Sequence, residues 1–198
     1  MKKQIDPRPF VLAAFILAAG MFRLANSGGL LPTFLNLTPL GAMAMFGGCY
    51  YQDKWKAYFF PLLTLWLTDI VINRFLVFNE WVFFYDGFAW VYGSFALMVL
   101  IGQYIKRVSI KSVVLSAIAC AFVHWLVSDM GVWLGGGTDI TTGLPFTRDF
   151  NGLMTCYYLA LPYLQKVLIG NLVFGALLFG SFEFVQLKFP ILKLQLSE

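Results

Sequence analysis

The sequence predicts an all-α integral membrane protein, a single transmembrane domain over residues 1–198 built from about six helices. Three observations carry that expectation. Hydrophobic residues make up 60% of the 198-residue chain and charged ones only 12%, with a mean hydropathy of +0.75, whereas a soluble domain carries about 25% charged residues. Apolar runs close to the length of a bilayer crossing follow one another through the chain, joined by short polar connections. Lys and Arg gather at alternate ends of those runs, the arrangement the positive-inside rule describes.

The first run, 9–25, follows Lys2, Lys3 and Arg8. That basic start before an apolar stretch has the form of a secretory signal, but further spans follow and no A-x-A site closes it, so it reads as a retained helix. Ala14 and Ala18 place small residues one turn apart on this helix. Such a surface permits close helix contact, either inside the bundle or against another membrane protein. The second run, 35–51, is short and rich in glycine (Gly41, Gly47, Gly48), which makes it the weakest span. In the third, 55–71, Trp66, Asp69 and Asn73 fall at i, i+3 and i+7 and share one helical face. The fourth run covers 87–105. The fifth, 112–134, repeats the aromatic and acidic stripe with Trp125, Asp129 and Trp133, beside His124, the only histidine. The sixth covers 160–185.

With the N-terminus inside, that side holds Lys2, Lys3, Arg8, Lys54, Lys56, Lys106, Arg107, Lys111, Lys188 and Lys193, leaving Arg23, Arg74, Arg148 and Lys166 outside. Ten against four places both termini in the cytoplasm. The outer connections, 26–34, 72–86 and 135–159, are the longer and chemically richer ones, so function is expected on the outer face. The net charge of +4 is accounted for by this topology, and nucleic acid is not an expected partner.

A carboxylate inside a span costs about 2.5–3.5 kcal/mol on insertion scales, so Asp69 and Asp129 each call for a partner, water or a task. Two stripes facing each other would wall a polar, aromatic cavity of the kind that holds a small ligand. The alternative pairs Asp69 with Arg74, sets Asp129 against a neighbouring helix and leaves the tryptophans in the interfacial belt. His124 serves either as a ligand contact or as a satisfied core residue. Cys49, Cys120 and Cys156 form no CxxC pair, no metal-ligand spacing is present, and the glycines at 135–137 lack the Gly-Lys-Ser/Thr of a phosphate-binding loop. No cofactor is expected.

The stretches Leu37-Thr38-Pro39-Leu40-Gly41-Ala42-Met43-Ala44-Met45-Phe46-Gly47-Gly48, Pro61-Leu62-Leu63-Thr64-Leu65-Trp66-Leu67-Thr68-Asp69, Trp90-Val91-Tyr92-Gly93 and Gly131-Val132-Trp133-Leu134 resemble a small bacterial putative-transport family related to the S-components of energy-coupling factor (ECF) vitamin transporters. The resemblance implies a six-helix S-component-like bundle in the bacterial inner (cytoplasmic) membrane that captures a vitamin-like solute at its outer face. It also implies an ECF-type coupling subunit with its ATPases as partners, met by an A-x-x-x-A surface such as Ala14 to Ala18. On this reading Trp66, Asp69, Asn73, Trp90, Tyr92, His124, Asp129 and Trp133 contact the solute, and Cys156 would approach cobalt if the solute were cobalamin. The rival functions are a membrane enzyme using Asp69, His124 and Asp129 on a lipid or isoprenoid, and a structural subunit that only packs against partners.

Overall fold

The structure, a computed structural model, describes residues 6–30 and 37–193. Lys2, Lys3 and the start of the second apolar run lie outside the described residues. Seven helices follow in order: α1 (Arg8–Ser27), α2 (Leu40–Tyr50), α3 (Lys54–Ile72), α4 (Phe88–Gln103), α5 (Ile110–Leu134), α6 (Phe150–Leu159) and α7 (Leu161–Lys188). A π-helical turn, Asn73–Val77, continues α3, and a 3-10 turn, Pro190–Leu192, closes the described chain. No strand is present among the described residues.

Four of these helices are long and apolar enough to cross a membrane: α1, α3 with its π turn, α5 and α7. Their outward faces carry large apolar side chains, with Leu115 56% and Leu177 56% exposed, which water would not tolerate but lipid does. The chain is therefore a helical membrane protein. The second and fourth predicted spans are present as the shorter helices α2 and α4.

α2 has 11 residues and spans about 16 Å, far less than a hydrocarbon core. Its shortness follows from where it sits. Ala42, Met43, Ala44, Met45 and Phe46 are all 0% exposed, because α1, α3, α4, α5 and α7 surround the helix. A helix wrapped in protein need not match the lipid thickness. Phe46 anchors the core, packing edge-on to Phe179 and Phe182 of α7 and stacking on Phe15 of α1.

The seam between α2 and α4 depends on two missing side chains. A Cβ on Gly48 would run into the Val99 carbonyl, and one on Gly102 into the Met45 carbonyl, so the two backbones touch directly. Pro61, inside α3, is accepted where its ring packs against Gly47.

The connection over 135–159 contains an unexpected element, α6. Asp149 caps it, its carboxylate accepting from the Gly152 N–H at 2.7 Å and from the Thr147 hydroxyl at 2.7 Å. Those two bonds, the backbone one foremost, hold the Asp149 carboxyl below the usual carboxylate range. α6 packs on α5, with the Trp125 and Tyr157 rings 5.0 Å apart. At the opposite, basic end of the bundle, the buried Arg8 guanidinium donates to the Leu192 carbonyl at 2.5 Å and the Tyr50 carbonyl at 3.2 Å. Tyr50 in turn donates to Glu183 of α7 at 2.5 Å.

Replacing Gly48 by Ala forces a methyl group onto backbone that cannot rotate away, so the cost lies at or above the roughly 1–3 kcal/mol of ordinary overpacking. Gly93 of α4 has no atom within 4 Å of its Cβ position and serves as the control. Thermal melts in detergent are expected to show Gly48→Ala several degrees below the parent and Gly93→Ala unchanged or higher. Equal melting temperatures for the two variants would refute direct backbone contact at this seam.

Candidate functional site

At the end opposite Arg8, where the long connections lie, two cavities meet. The larger, of about 510 Å³, is walled by α1 (Arg23, Asn26, Ser27), by Thr38 and Leu40, by α5 (Ala121, His124, Trp125, Ser128, Asp129) and by α7 (Tyr163, Leu164, Lys166, Val167). The smaller, of about 170 Å³, shares Arg23, Thr38, Leu40, His124, Ser128 and Val167 with it and extends to Asp69, Tyr85 and Phe95. The volumes are those of a small-ligand site, and the lining mixes apolar walls with a few polar groups.

One ion pair fixes the wall between the two chambers. Arg23 Nη2 meets Asp69 Oδ1 at 2.6 Å, and Arg23 Nη1 also donates to the Thr68 hydroxyl. The second Asp69 oxygen accepts from the Tyr92 hydroxyl at 2.8 Å. The carboxylate is thus satisfied by α1 and α4 together, and the partner proposed for it from sequence, Arg74, is engaged elsewhere. Arg74 donates to the Asn79 carbonyl at 2.6 Å and to the Asn79 side chain at 2.9 Å, and it lies over the Phe75 and Trp81 rings. Tyr85, from the connection after α3, closes over Asp69. Burial first, and then the Asp69 charge, push its hydroxyl up to about 12, so it stays protonated beside the carboxylate.

His124 lines both chambers. Its Nδ1 lies 2.8 Å from the Ser94 Oγ, and the Ser94 hydroxyl spends its one proton on the Val91 carbonyl at 2.6 Å. Nδ1–H is therefore the donor, which leaves Nε2 of the neutral ring as an acceptor. Asp129 lines the larger chamber and makes no ion pair among the described residues.

The remaining residues expected at the site hold the connections instead. Trp66 Nε1 donates to the Phe83 carbonyl at 3.2 Å, and Asn73, buried in the π turn, donates to the Val82 carbonyl at 3.1 Å. Trp133 Nε1 donates to the Thr147 carbonyl at 2.8 Å with the Arg148 guanidinium over its ring. Trp90 packs on the bare backbone of Gly131, sealing α4 to α5. None of these four lines either cavity. Asn73, Trp90 and Trp133 sit near helix ends, where the side chain meets a connection or a neighbouring helix, whereas Trp66, mid-way along the span, reaches the connection after α3. Cys156 lies outside both linings and donates to the Asp129 carbonyl at 3.5 Å, and no cluster of metal-ligating side chains is found among the described residues.

Residues 3–192 match a family described as a family of unknown function (DUF6580), and the chain belongs to it. No curated protein and no solved structure matches the chain.

Removing one member of the Arg23–Asp69 pair leaves a buried, uncompensated charge, which typically costs about 3–5 kcal/mol, whereas replacing both costs much less. Arg23→Gln and Asp69→Asn are each expected to lower the melting temperature more than the Arg23→Gln/Asp69→Asn double variant. Additive losses in that thermodynamic cycle would show the pair to be uncoupled.

Proposed function

We propose that this member of the DUF6580 family is a membrane substrate-binding and transport protein, taking a small, vitamin-like solute from outside the cell for uptake into the cytoplasm. The observation that carries the reading is the cavity of about 510 Å³ at the end of the bundle bearing the long connections. The smaller chamber beside it is lined by Tyr85 from the connection after α3, a segment pinned through Trp66 and Asn73 that can open and close without disturbing α2. The Lys and Arg bias assigns the Arg8 end to the cytoplasm, in a bacterial inner membrane, so the cavity faces outward.

The second support is on α1. Ala14 and Ala18 are exposed on the outward face, while Leu12, Ile16 and Ala19 turn into the core. Small side chains outside the core packing leave room for a close-fitting membrane partner, which supports this reading. The resemblance to ECF S-components agrees with a coupling subunit and its ATPases in that place.

Mass spectrometry of the detergent-purified protein tests the binding function. An unmodified small molecule is expected in the purified sample, and Ser128→Phe, which fills the space between the chambers, should cut its retention at least about tenfold, or 1.4 kcal/mol. Turnover of a lipid extract with nothing retained would replace transport with enzymatic chemistry.

The partner surface has a separate test. Ala14→Leu/Ala18→Leu adds bulk on the outer face only, so melting temperature and ligand retention should hold while cellular uptake falls. Normal uptake would remove the α1 interface.

A further inference from the structure

Lys166 of α7 and Asp129 of α5 both line the larger cavity. Asp129 lies five residues before the end of α5 at Leu134, and Lys166 five residues after the start of α7 at Leu161. Packing of α7 against α5 sets Asn171 beside Ala117 and Gly175 beside Val113, which puts the Lys166 backbone about two turns deeper than that of Asp129. They are not paired with each other, nor with any other ion among the described residues. The third charge on this lining, Arg23, is already neutralised by Asp69. What remains on this lining is one anion and one cation that make no ion pair among the described residues.

The aromatic residues lie close to these charges. Trp125 is one turn deeper than Asp129 on the same helix, and its indole N–H is held by the Tyr157 carbonyl at 3.3 Å, which leaves the ring as an apolar wall. Tyr163 precedes Lys166 by three residues, with the ammonium 6.0 Å from its ring centroid. His124 and Ser128, on the same helix as Trp125, also line the smaller chamber.

We infer that the solute of this cavity is a zwitterion with an apolar or aromatic body, its basic nitrogen placed against Asp129 and its acidic group against Lys166. The inference rests on the solute-binding reading above and narrows it. A solute of one sign would be attracted to one of the two charges and repelled by the other, and a neutral solute would engage neither. A zwitterion completes both at once and leaves the loaded site neutral, as a charge-bearing molecule entering a membrane bundle requires.

The test compares the parent with Asp129→Asn and Lys166→Gln, each close in shape to the residue it replaces. Small molecules released from the purified proteins are identified by mass spectrometry. Thermal stabilisation is then measured with three probes that share an indole body: tryptophan, tryptamine and indole-3-propionate. The parent should retain a molecule bearing both a basic and an acidic group, and tryptophan should stabilise it more than either singly charged probe. Asp129→Asn should erase the preference for tryptophan over indole-3-propionate, and Lys166→Gln the preference over tryptamine, each with retention reduced about tenfold or more. A retained molecule of single or no charge, or a probe order that both variants leave unchanged, overturns the zwitterion assignment while the solute-binding function stands. A parent that retains nothing and responds to none of the probes overturns both.

Discussion

Direct contact between the backbones of α2 and α4 is the constraint on which the bundle depends. With carbonyls of one helix lying where the other would carry a Cβ, these two helices cannot slide or rotate independently. α2 is then the post against which α1, α3, α5 and α7 are stacked, and its small residues set how near they come. In lipid there is no hydrophobic drive to bring helices together, so such close fitting supplies much of the association energy. The cavities lie where the post stops: α2 begins at Leu40, and the space beyond its first turn is left between α1, α5 and α7.

Charge is handled differently at the two ends of the molecule. At the basic end Arg8 is compensated mainly by carbonyl oxygens, with the Tyr50 and Phe182 rings beside it. At the cavity end Arg23 is compensated by a carboxylate, and the Tyr92 hydroxyl takes up the second oxygen. The first arrangement ties chain segments together. The second makes a rigid, electrically neutral partition, against which the unpaired Asp129 stands out.

Much of the helical plan was legible in the apolar runs, because lipid-facing and core-facing positions are both apolar and hydropathy tracks span length well. All six runs correspond to helices. The short α6 was not legible: ten residues that include Gly152, Thr155 and Cys156 carry neither span length nor a clear face. Of Trp66, Asp69 and Asn73, spaced as one helical face, only Asp69 reaches the cavity. Periodicity specifies direction around a helix but not depth along it, and at a helix end the same direction leads to a connecting loop. Arg23 went unrecognised as the partner of Asp69 because the pair joins residues 46 positions apart, beyond the reach of any helical spacing. The buried Asn171, whose Nδ2 bonds the Ala117 carbonyl at 3.3 Å, was hidden in an otherwise uniform apolar run for the same reason.

The Arg8 clamp bears on how the chain is made. Arg8 and its acceptor at Leu192 lie 184 positions apart, so the acceptor is made long after the guanidinium. The Arg8–Leu192 contact therefore forms only after the intervening helices have been made, while the Tyr50 carbonyl is the acceptor that α2 supplies earlier. α2 is too short to span the bilayer unaided and lacks α7, one of its walls, until the same late moment. The contacts that join α1 and α2 to α7 and the turn after it thus form late in synthesis.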